Sequence, residues 1–463
     1  MVFVFDNFKY KYFSSKVVIF VQMKRSFADI LAGLDGDRAH KLARKLPEWA
    51  AAGAGIPSAL SLEQCSSSLT ARYKAELIAN LAPRSGQLPP ETSGCAGPLP
   101  SGDGPLPLTM PRVARFPEAV PAAVPQKTTM IVLDLTGGLG VDSWAFSRVA
   151  ARVVYFERDA ELAAAAERNF ARLGADNIAV RCETVTPDTD LPEADLIYAD
   201  PARRDAAGRK VFLLEDCTPD ILALLPLLLR KAPAVLLKLS PMADLAMLAE
   251  RLGPALREIH VVEAAGEVKE LLCLLLRDAS PAEAEIVVVR LPGAAGLRFR
   301  MGEERQAAAV YAAGVQPGDI LLEPCPALLK AGAFRLPCER WGLRKLAPST
   351  HLYLSPLAPG TETAPGVPGN PFFDSPGTET LPSVPGNQFF KERRVRAVLP
   401  FGAAAFKELR KRCPQAEITA RNLPLGSDAL RKKMGVAPGG DTHIFGCRLA
   451  DGSAVLIVTE KAV

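Results

Sequence analysis

A strand followed at once by a glycine-rich turn constrains this chain more than any other feature. An apolar run over 130–135 carries Asp134 near its end and continues into Thr136-Gly137-Gly138-Leu139-Gly140. A buried parallel strand is almost continuously apolar, and this run fits that description. Glycines let the backbone turn sharply and lie close to a ligand, because no Cβ is in the way. With a helical pattern from Val141 to Val149 behind it, the segment predicts a nucleotide-type cofactor site.

The surrounding segment, 129–278, alternates between strand-like and helical patterns. Apolar runs occur at 130–135, 152–156, 178–182, 194–199, 233–239, 259–263 and 270–276, and we expect helices between the first five. Such alternation is typical of a parallel sheet with helices on both faces. The last two runs are too close together for a crossover helix, so we expect an antiparallel hairpin at one edge of the sheet.

Composition divides the rest of the chain. We expect the 463 residues to begin with a disordered extension at 1–25 (Met23 could be the true start), followed by a helical domain at 26–84 and a Pro/Gly-rich linker at 85–126. An α/β domain at 127–280 and a small α+β, ferredoxin-like domain at 281–355 should come next. An insertion at 356–390 and a basic domain at 391–463 follow them. The insertion is a duplication, since Pro359–Phe373 recurs as Pro376–Phe390. Two proline-rich copies are too few for a solenoid.

Positive charge is concentrated at the C-terminal end. The whole chain has a net charge of +4, whereas 391–463 carries 14 Lys and Arg against 7 Asp and Glu. The clusters are Arg393-Arg394-Val-Arg396, Arg410-Lys411-Arg412 and Arg431-Lys432-Lys433. They could form a solvated face or a footprint for a phosphate backbone.

The sequence argues against a metal-binding protein, a disulfide-stabilised protein and a membrane protein. The nine cysteines are scattered without a CxxC pair, and there are only four histidines. We therefore expect no metal site and a reducing, cytoplasmic location. The N-terminal segment is interrupted by charges and lacks the roughly 20 apolar residues of a membrane helix.

Acidic residues follow the first three predicted strands. Asp134 could accept hydrogen bonds from loop amides or from the cofactor. Glu157, about twenty residues beyond the turn, suits a ribose diol, because one carboxylate can accept from both hydroxyls. The alternative for this position is a helix N-cap, a role for which Asp159 is better placed. Glu183 follows the third strand and could flank a purine ring.

The fourth and fifth strands end in a second set of polar residues. Tyr198-Ala-Asp200-Pro201-Ala-Arg203-Arg204-Asp205 places an acidic turn beyond the carboxyl end of a strand, where open α/β sheets bind ligands. The arginines could clamp a phosphate or stack on a base. A common Asp-Pro turn with a local ion pair is the structural alternative. Lys238 and Ser240 could contact substrate, or Lys238 could simply reach solvent.

These motifs resemble class I S-adenosylmethionine-dependent methyltransferases. The turn reads D-x-x-G-G-x-G, whereas a dehydrogenase would show G-x-G-x-x-G. Further segments resemble a bacterial methyltransferase family with a C-terminal THUMP-like domain, over most of the chain from about residue 25 onward. They are Ser61-Leu-Glu-Gln-Cys-Ser-Ser67 with Tyr73-Lys-Ala75, Asp200–Asp205, Val211-Phe-Leu-Leu-Glu-Asp-Cys217, Lys238-Leu-Ser-Pro-Met242, Leu329-Lys-Ala-Gly-Ala-Phe334 and Arg421-Asn-Leu-Pro-Leu425 with Gly439-Gly-Asp-Thr442.

The resemblance implies a Rossmann-like α/β sheet, a helical N-terminal domain and a small C-terminal α+β region. S-adenosylmethionine would be the cofactor, held by Asp134, Thr136, Gly137, Gly138, Gly140, Glu157 and Glu183. Asp200, Pro201 and Arg203 would be catalytic, and Tyr198, Arg204, Lys238 and Ser240 would contact substrate. Enzymes that methylate base amines often show Asp/Asn-Pro-Pro-aromatic. Here Ala202 and Arg203 replace the last two, so stacking on a base would fall to Arg203 or Tyr198.

The leading functional hypothesis is an RNA methyltransferase whose flanking domains hold tRNA or rRNA. Two alternatives stay open. The acceptor could be a protein or small molecule, with the basic segment merely solvated. The chain could also be a non-catalytic RNA-binding protein with a vestigial methyltransferase fold. The sequence does not indicate an oligomeric state.

Overall fold

The computed structural model describes residues 36–81, 127–202, 217–278, 283–293, 296–356 and 386–461, together with a short antiparallel pair, β1 (Val4–Phe5) and β2 (Phe8–Lys9). The pattern of contacts between residues divides the chain into two compact units. The first is Met1–Leu239 with Leu274–Asp278, and the second is Ser240–Cys273 with Ala279–Val463. The predicted linker at 85–126 and almost all of the duplicated insertion lie outside the described residues.

Within residues 36–81 the first unit contains four helices, in the segment where helical spacing dominates the sequence. They are α1 (Gly36–Lys45), α2 (Pro47–Ala51), α3 (Ala59–Gln64) and α4 (Ser68–Leu81). Ser58 caps α3 by accepting from the Ser61 amide, which satisfies one of the free donors at a helix start. None of the helices in the described ranges is long and apolar enough to cross a membrane.

The first unit continues as a parallel sheet covered by helices. In chain order its elements are β3 (Ile131–Asp134), α5 (Val141–Ser147), β4 (Arg152–Glu157), α6 (Ala160–Arg172), β5 (Ile178–Cys182), β6 (Leu196–Ala199), α7 (Ile221–Lys231) and β7 (Ala234–Leu239). The strand order is β7–β6–β3–β4–β5, all parallel. The order reverses at β3, and ligands bind beyond the carboxyl ends of strands at such a switch point.

One expected helix is missing from this sheet. Residues 183–195, all of them described, contain no helix between β5 and β6. Pro187 and Pro192 lie in this segment, and proline removes a backbone donor that a helix interior needs. The prediction of helices between all of the first five strands is therefore wrong at this connection.

The second unit begins with α8 (Leu245–Leu252) and a 3₁₀ turn (Gly253–Ala255), followed by the strands β8 (Leu256–Ala264), β9 (Glu267–Leu276), β10 (Glu285–Leu291) and β11 (Leu297–Arg300). The end of β9, from Leu274, falls in the first unit. Ala265 and Gly266 both have positive φ, as a two-residue hairpin turn requires, so β8 and β9 form the expected hairpin. The hairpin is not at the sheet edge, because β10 pairs parallel with β8 and β11 pairs with β10. These two strands therefore continue the β8 sheet instead of starting the small domain predicted from 281.

A second sheet of seven strands fills the rest of this unit. The elements are α9 (Met301–Gln306), β12 (Ile320–Pro324), α10 (Pro326–Ala331), α11 (Leu336–Trp341), β13 (Arg344–Lys345), β14 (Tyr353–Leu354), a 3₁₀ turn (Asn387–Phe389), β15 (Phe390–Pro400), α12 (Ala403–Arg412), β16 (Glu417–Arg421), α13 (Ser427–Met434), β17 (His443–Arg448) and β18 (Ala454–Lys461). The order is β13–β14–β12–β15–β18–β17–β16. Because β12 pairs with β15, the regions before and after the duplication, predicted as separate domains, share one sheet.

Candidate active site

The buried carboxylate of Asp134 holds the start of the glycine turn through two hydrogen bonds. Its Oδ1 accepts from the Thr136 amide at 3.1 Å, and its Oδ2 accepts from the Ser143 hydroxyl at 2.6 Å. The residue is only 1% exposed, and this burial raises the pKa of its carboxyl to about 7. Asp134 therefore joins the end of β3 to the first turn of α5 and shapes the loop that follows it.

Three glycines are required by the geometry of this turn. Gly138 and Gly140 have φ of +55° and +90°, where side chains with a Cβ are strained. A Cβ on Gly137 would lie 2.0 Å from the ring of Tyr155. That ring is held in place because its hydroxyl donates to the Gly138 carbonyl at 2.5 Å. On the outer side of Gly138, no described atom would come nearer than 3.8 Å to an added Cβ, so the turn is open there.

Asp159, and not Glu157, takes the helix N-cap role that the sequence left open. Asp159 caps α6 by accepting from the amides of Glu161 and Leu162. Glu157 instead accepts from the Gly138 amide at 2.8 Å and from the Asp159 amide at 2.9 Å, one through each oxygen. Each carboxylate oxygen has a second lone pair, so this fixed and partly exposed side chain can still accept from two ribose hydroxyls.

Glu183 is joined to Glu157 through the backbone. Its amide donates to the Glu157 carbonyl at 3.0 Å just beyond the end of β5, and its side chain is exposed. The fold therefore places the residues predicted to bind the ribose and the purine at the ends of the adjacent strands β4 and β5. The open side of the glycine turn and the carboxylate of Glu157 fit S-adenosylmethionine. Its ribose would lie at Glu157 and its base near Glu183.

Asp200 is fixed from two directions. Its amide donates to the Thr136 hydroxyl at 2.6 Å, which ties the end of β6 to the glycine turn. Its carboxylate forms an ion pair with Lys238 at the end of β7. The Asp200 side chain is 36% exposed and that of Lys238 only 12%, so Lys238 holds the carboxylate and does not merely reach solvent.

Tyr198 has a different position from the one expected for a stacking residue. Its hydroxyl donates to Asp142 at 2.8 Å, and its buried ring packs edge-to-face on Phe146. A ring enclosed in this way cannot stack on an extruded base. The expected stacking role of Tyr198 is therefore corrected to a structural one.

Sequence reasoning missed the buried polar cluster around Asp142. Lys74 of α4 is 0% exposed, and its Nζ lies 3.3 Å from Asp142 Oδ1 and 3.1 Å from the Ser66 hydroxyl. Ser66 in turn donates to Asp142 at 2.8 Å. Burial would raise the pKa of Asp142, but Lys74 and Lys238 hold it below its ordinary value. In the sequence, the signal for this cluster was Lys74, a lysine on the apolar stripe of a helix.

The remaining predicted residues are placed as follows. Arg203 and Arg204 lie outside the described residues. Pro201 directly follows Asp200, and the Ala202 amide then donates to the Thr218 carbonyl at 2.8 Å. Ser240 belongs to the second unit, where it accepts from the Met242 amide at 3.1 Å. Within the described part of the chain, no group of three or more His, Cys, Asp or Glu side chains could hold a metal ion.

The chain is similar to a known protein structure over almost its whole length. The crystal structure of a "putative methyltransferase" from Porphyromonas gingivalis W83 is 30% identical, with a TM-score of 0.68 over 95% of both chains. A THUMP domain-like family matches residues 394–461 and a ferredoxin-like domain family matches 321–358. The chain belongs to the class I methyltransferases with a C-terminal THUMP-like domain.

More distant structures align with only part of this methyltransferase. A ribosomal protein L11 methylase from Lactobacillus delbrueckii subsp. bulgaricus is 22% identical over 32% of this chain and 71% of its own, with a TM-score of 0.25. A dimethyladenosine transferase from Plasmodium falciparum is 17% identical over 28% of this chain and 41% of its own, with a TM-score of 0.21. Neither contributes to the assignment. Among curated proteins, no sequence gave a significant match.

Proposed function

We propose that this methyltransferase transfers the methyl group of S-adenosylmethionine to a base of structured RNA, either tRNA or rRNA. The observation that carries the proposal is the fixed carboxylate of Asp200 at the switch point of the sheet. Its backbone is bonded to Thr136 of the glycine turn, and its side chain is paired with Lys238. The acceptor group is therefore oriented by the same loop that would hold the cofactor.

The chemistry requires positioning more than activation. S-adenosylmethionine supplies a methyl group that is already bound to a positively charged sulfur. Asp200 retains lone pairs that can accept from an exocyclic amine, which aims the nitrogen at the methyl carbon. Lys238 offsets the charge of the carboxylate and keeps it from rotating. As the carbon–nitrogen bond forms, the carbon–sulfur bond would break and leave a neutral thioether, and the surplus proton of the amine can pass to Asp200 or to water.

The choice of RNA as acceptor is supported by the C-terminal region. The THUMP domain-like match covers the strands and helices that carry the basic clusters. Basic surfaces attract the phosphate backbone and release counterions on binding, so affinity should fall steeply with salt.

The deciding experiment compares modified nucleosides by mass spectrometry in cells with and without the gene. We expect one methylated nucleoside to disappear and to be restored when the purified protein acts on the unmodified RNA. Asp200→Asn should lower transfer at least about a hundredfold while cofactor binding, measured by calorimetry, is retained. Asp188→Asn, which alters an exposed carboxylate of the same unit, is the matched control. An unchanged nucleoside profile, with methyl incorporation into protein instead, would overturn the RNA proposal.

A further inference from the structure

One face of the seven-stranded sheet of the second unit carries Lys391, Arg393 and Arg421, among other cations. Side chains alternate along a strand, so Lys391 and Arg393 lie on the same side of β15 as Val395. Val395 belongs to a core with Cys447, which pairs in register with Arg421 of β16. Helices α12 and α13 pack on the opposite face, through a core that includes Phe406, Leu409, Leu430 and Met434. We call Lys391, Arg393 and Arg421 the sheet-face cations.

Negative charge on this face does not balance the sheet-face cations. Glu323 of β12 is the acid among them, opposite Lys391 in register and 3.4 Å from the Arg421 guanidinium. Glu417 also lies on this face, but at the other end of β16 from Arg421. Among the described residues near Glu323, positive charge therefore exceeds negative charge.

His443 lies near the sheet-face cations and has a lowered pKa there. Burial, followed by the nearby Arg393, Lys391 and Arg421, lowers the pKa of His443 to about 3, so its imidazole is neutral at physiological pH. His443 is stacked on Phe445 with ring centroids 4.2 Å apart, and Arg393 lies over the same phenyl ring. The aromatic support fixes the Arg393 side chain in position on the sheet face.

Several hydrogen-bonding atoms in this group are unused. The Nε atoms of Arg393 and Arg421 and the Oε2 atom of Glu323 are buried, with no hydrogen-bond partner among the described residues. Buried donors without an acceptor are costly, and most of them in folded proteins are satisfied. Because the Nε atoms are closed to solvent, contact with an anionic oxygen would fall to the remaining atoms of these two partly exposed guanidinium groups.

The basic clusters on the helices are arranged differently. Arg412 pairs with Glu408 in α12, and Arg431 pairs with Asp428 in α13. Arg410 donates to the Met434 carbonyl at the end of α13. Cations in the last turn of a helix also interact favourably with its dipole. These charges have local partners and fit the solvated-face interpretation.

We propose that the sheet face bearing Lys391, Arg393 and Arg421 binds the phosphodiester backbone of the RNA. The proposal rests on the proposed function and deepens it, since it assigns phosphate binding to the sheet and not to the helical clusters. Phosphate oxygens would approach the solvent-facing parts of these side chains, since Lys391 is exposed and the Arg421 side chain is 30% exposed, and would balance the surplus positive charge.

The test measures binding of bulk tRNA and of rRNA fragments to the full-length protein by fluorescence anisotropy over a range of salt concentrations. Arg393→Gln with Arg421→Gln should weaken binding roughly tenfold or more and lower the salt slope by about 1 to 2. Lys411→Gln with Lys432→Gln removes two exposed helical lysines and should change affinity less than about twofold.

Two more variants separate binding from folding. Lys391 is exposed, so Lys391→Gln cannot disturb the core and should still weaken binding severalfold. Glu323→Gln removes the competing carboxylate and should tighten binding, a gain that a purely structural role would not produce.

The outcomes distinguish the two proposals. Salt-dependent RNA binding that is unchanged in the Arg393/Arg421 and Lys391 variants would overturn the sheet face while leaving RNA as the substrate. Loss of binding in the Lys411/Lys432 variant alone would move the contact to the helices and overturn it equally. A wild-type protein that binds neither RNA would overturn both proposals.

Discussion

Replacing Asp134 with asparagine tests whether a buried carboxyl limits the stability of the first unit at neutral pH. Burial raises the pKa of Asp134 from 3.8 to about 7, so the folded state holds the proton more tightly than the unfolded state does. Stability is highest when both states are protonated and falls as the pH rises from about 4 to about 7, because only the unfolded chain ionises there. Above pH 7 both states are ionised and the loss is complete.

The magnitude follows from the size of this shift. One pKa unit corresponds to about 1.4 kcal/mol, so the shift costs about 4 kcal/mol in total, of which about 2.5 kcal/mol falls between pH 5 and 8. Asparagine is neutral and similar in size. It can still accept from the Thr136 amide and can donate to the Ser143 hydroxyl. The free energy of unfolding of Asp134→Asn, relative to the wild type, should therefore rise by about 2.5 kcal/mol between pH 5 and 8.

The assay is urea unfolding at each pH, followed by tryptophan fluorescence. In a Trp341→Phe background, Trp49 and Trp144 remain, and both lie in the first unit with ring centroids 6.3 Å apart. Groups common to both proteins cancel in the difference. A difference that is independent of pH, or one that falls as pH rises, would refute the reasoning.

Two other substitutions test the packing around the site. Gly137→Ala should abolish cofactor binding in calorimetry and cost about 1–3 kcal/mol, because its methyl would meet the Tyr155 ring. Gly174→Ala, also at positive φ but with no described atom within 4 Å of its Cβ, should cost about 1–2 kcal/mol of backbone strain and retain cofactor binding. Lys74→Met should cost about 3–5 kcal/mol in urea unfolding, since it leaves Asp142 buried without its cation. Adding Asp142→Asn should restore part of that loss, and equal stability of the single and double variants would contradict the ion-pair argument.

Much of the cofactor half of the site could be predicted from the sequence. The strand, the glycine turn and the helix behind it are contiguous, and the need for glycine at positive φ is a local property of the backbone. The division of roles between Glu157 and Asp159 is also local, since both act within a few residues of the start of α6 or on the nearby turn.

The substrate half depended on strands that are distant in sequence. Asp200 and Lys238 were separate candidates, and only the adjacency of β6 and β7 makes them a pair. Tyr198 has the same strand pattern whether it faces a pocket or a buried carboxylate, and α4 and α5 decide between the two.

The sequence by itself determined the cofactor turn and the basic C-terminal end, because these rest on local backbone preferences and on composition, whereas the methyltransferase class followed from the resemblance of its motifs to a known family. The tertiary structure decided which charges are neutralised and which are left over. A charge becomes a partner or a surplus only when strand pairing brings side chains within a few ångströms. That distance depends on the order of strands in the sheet, which the periodicity of one strand does not encode.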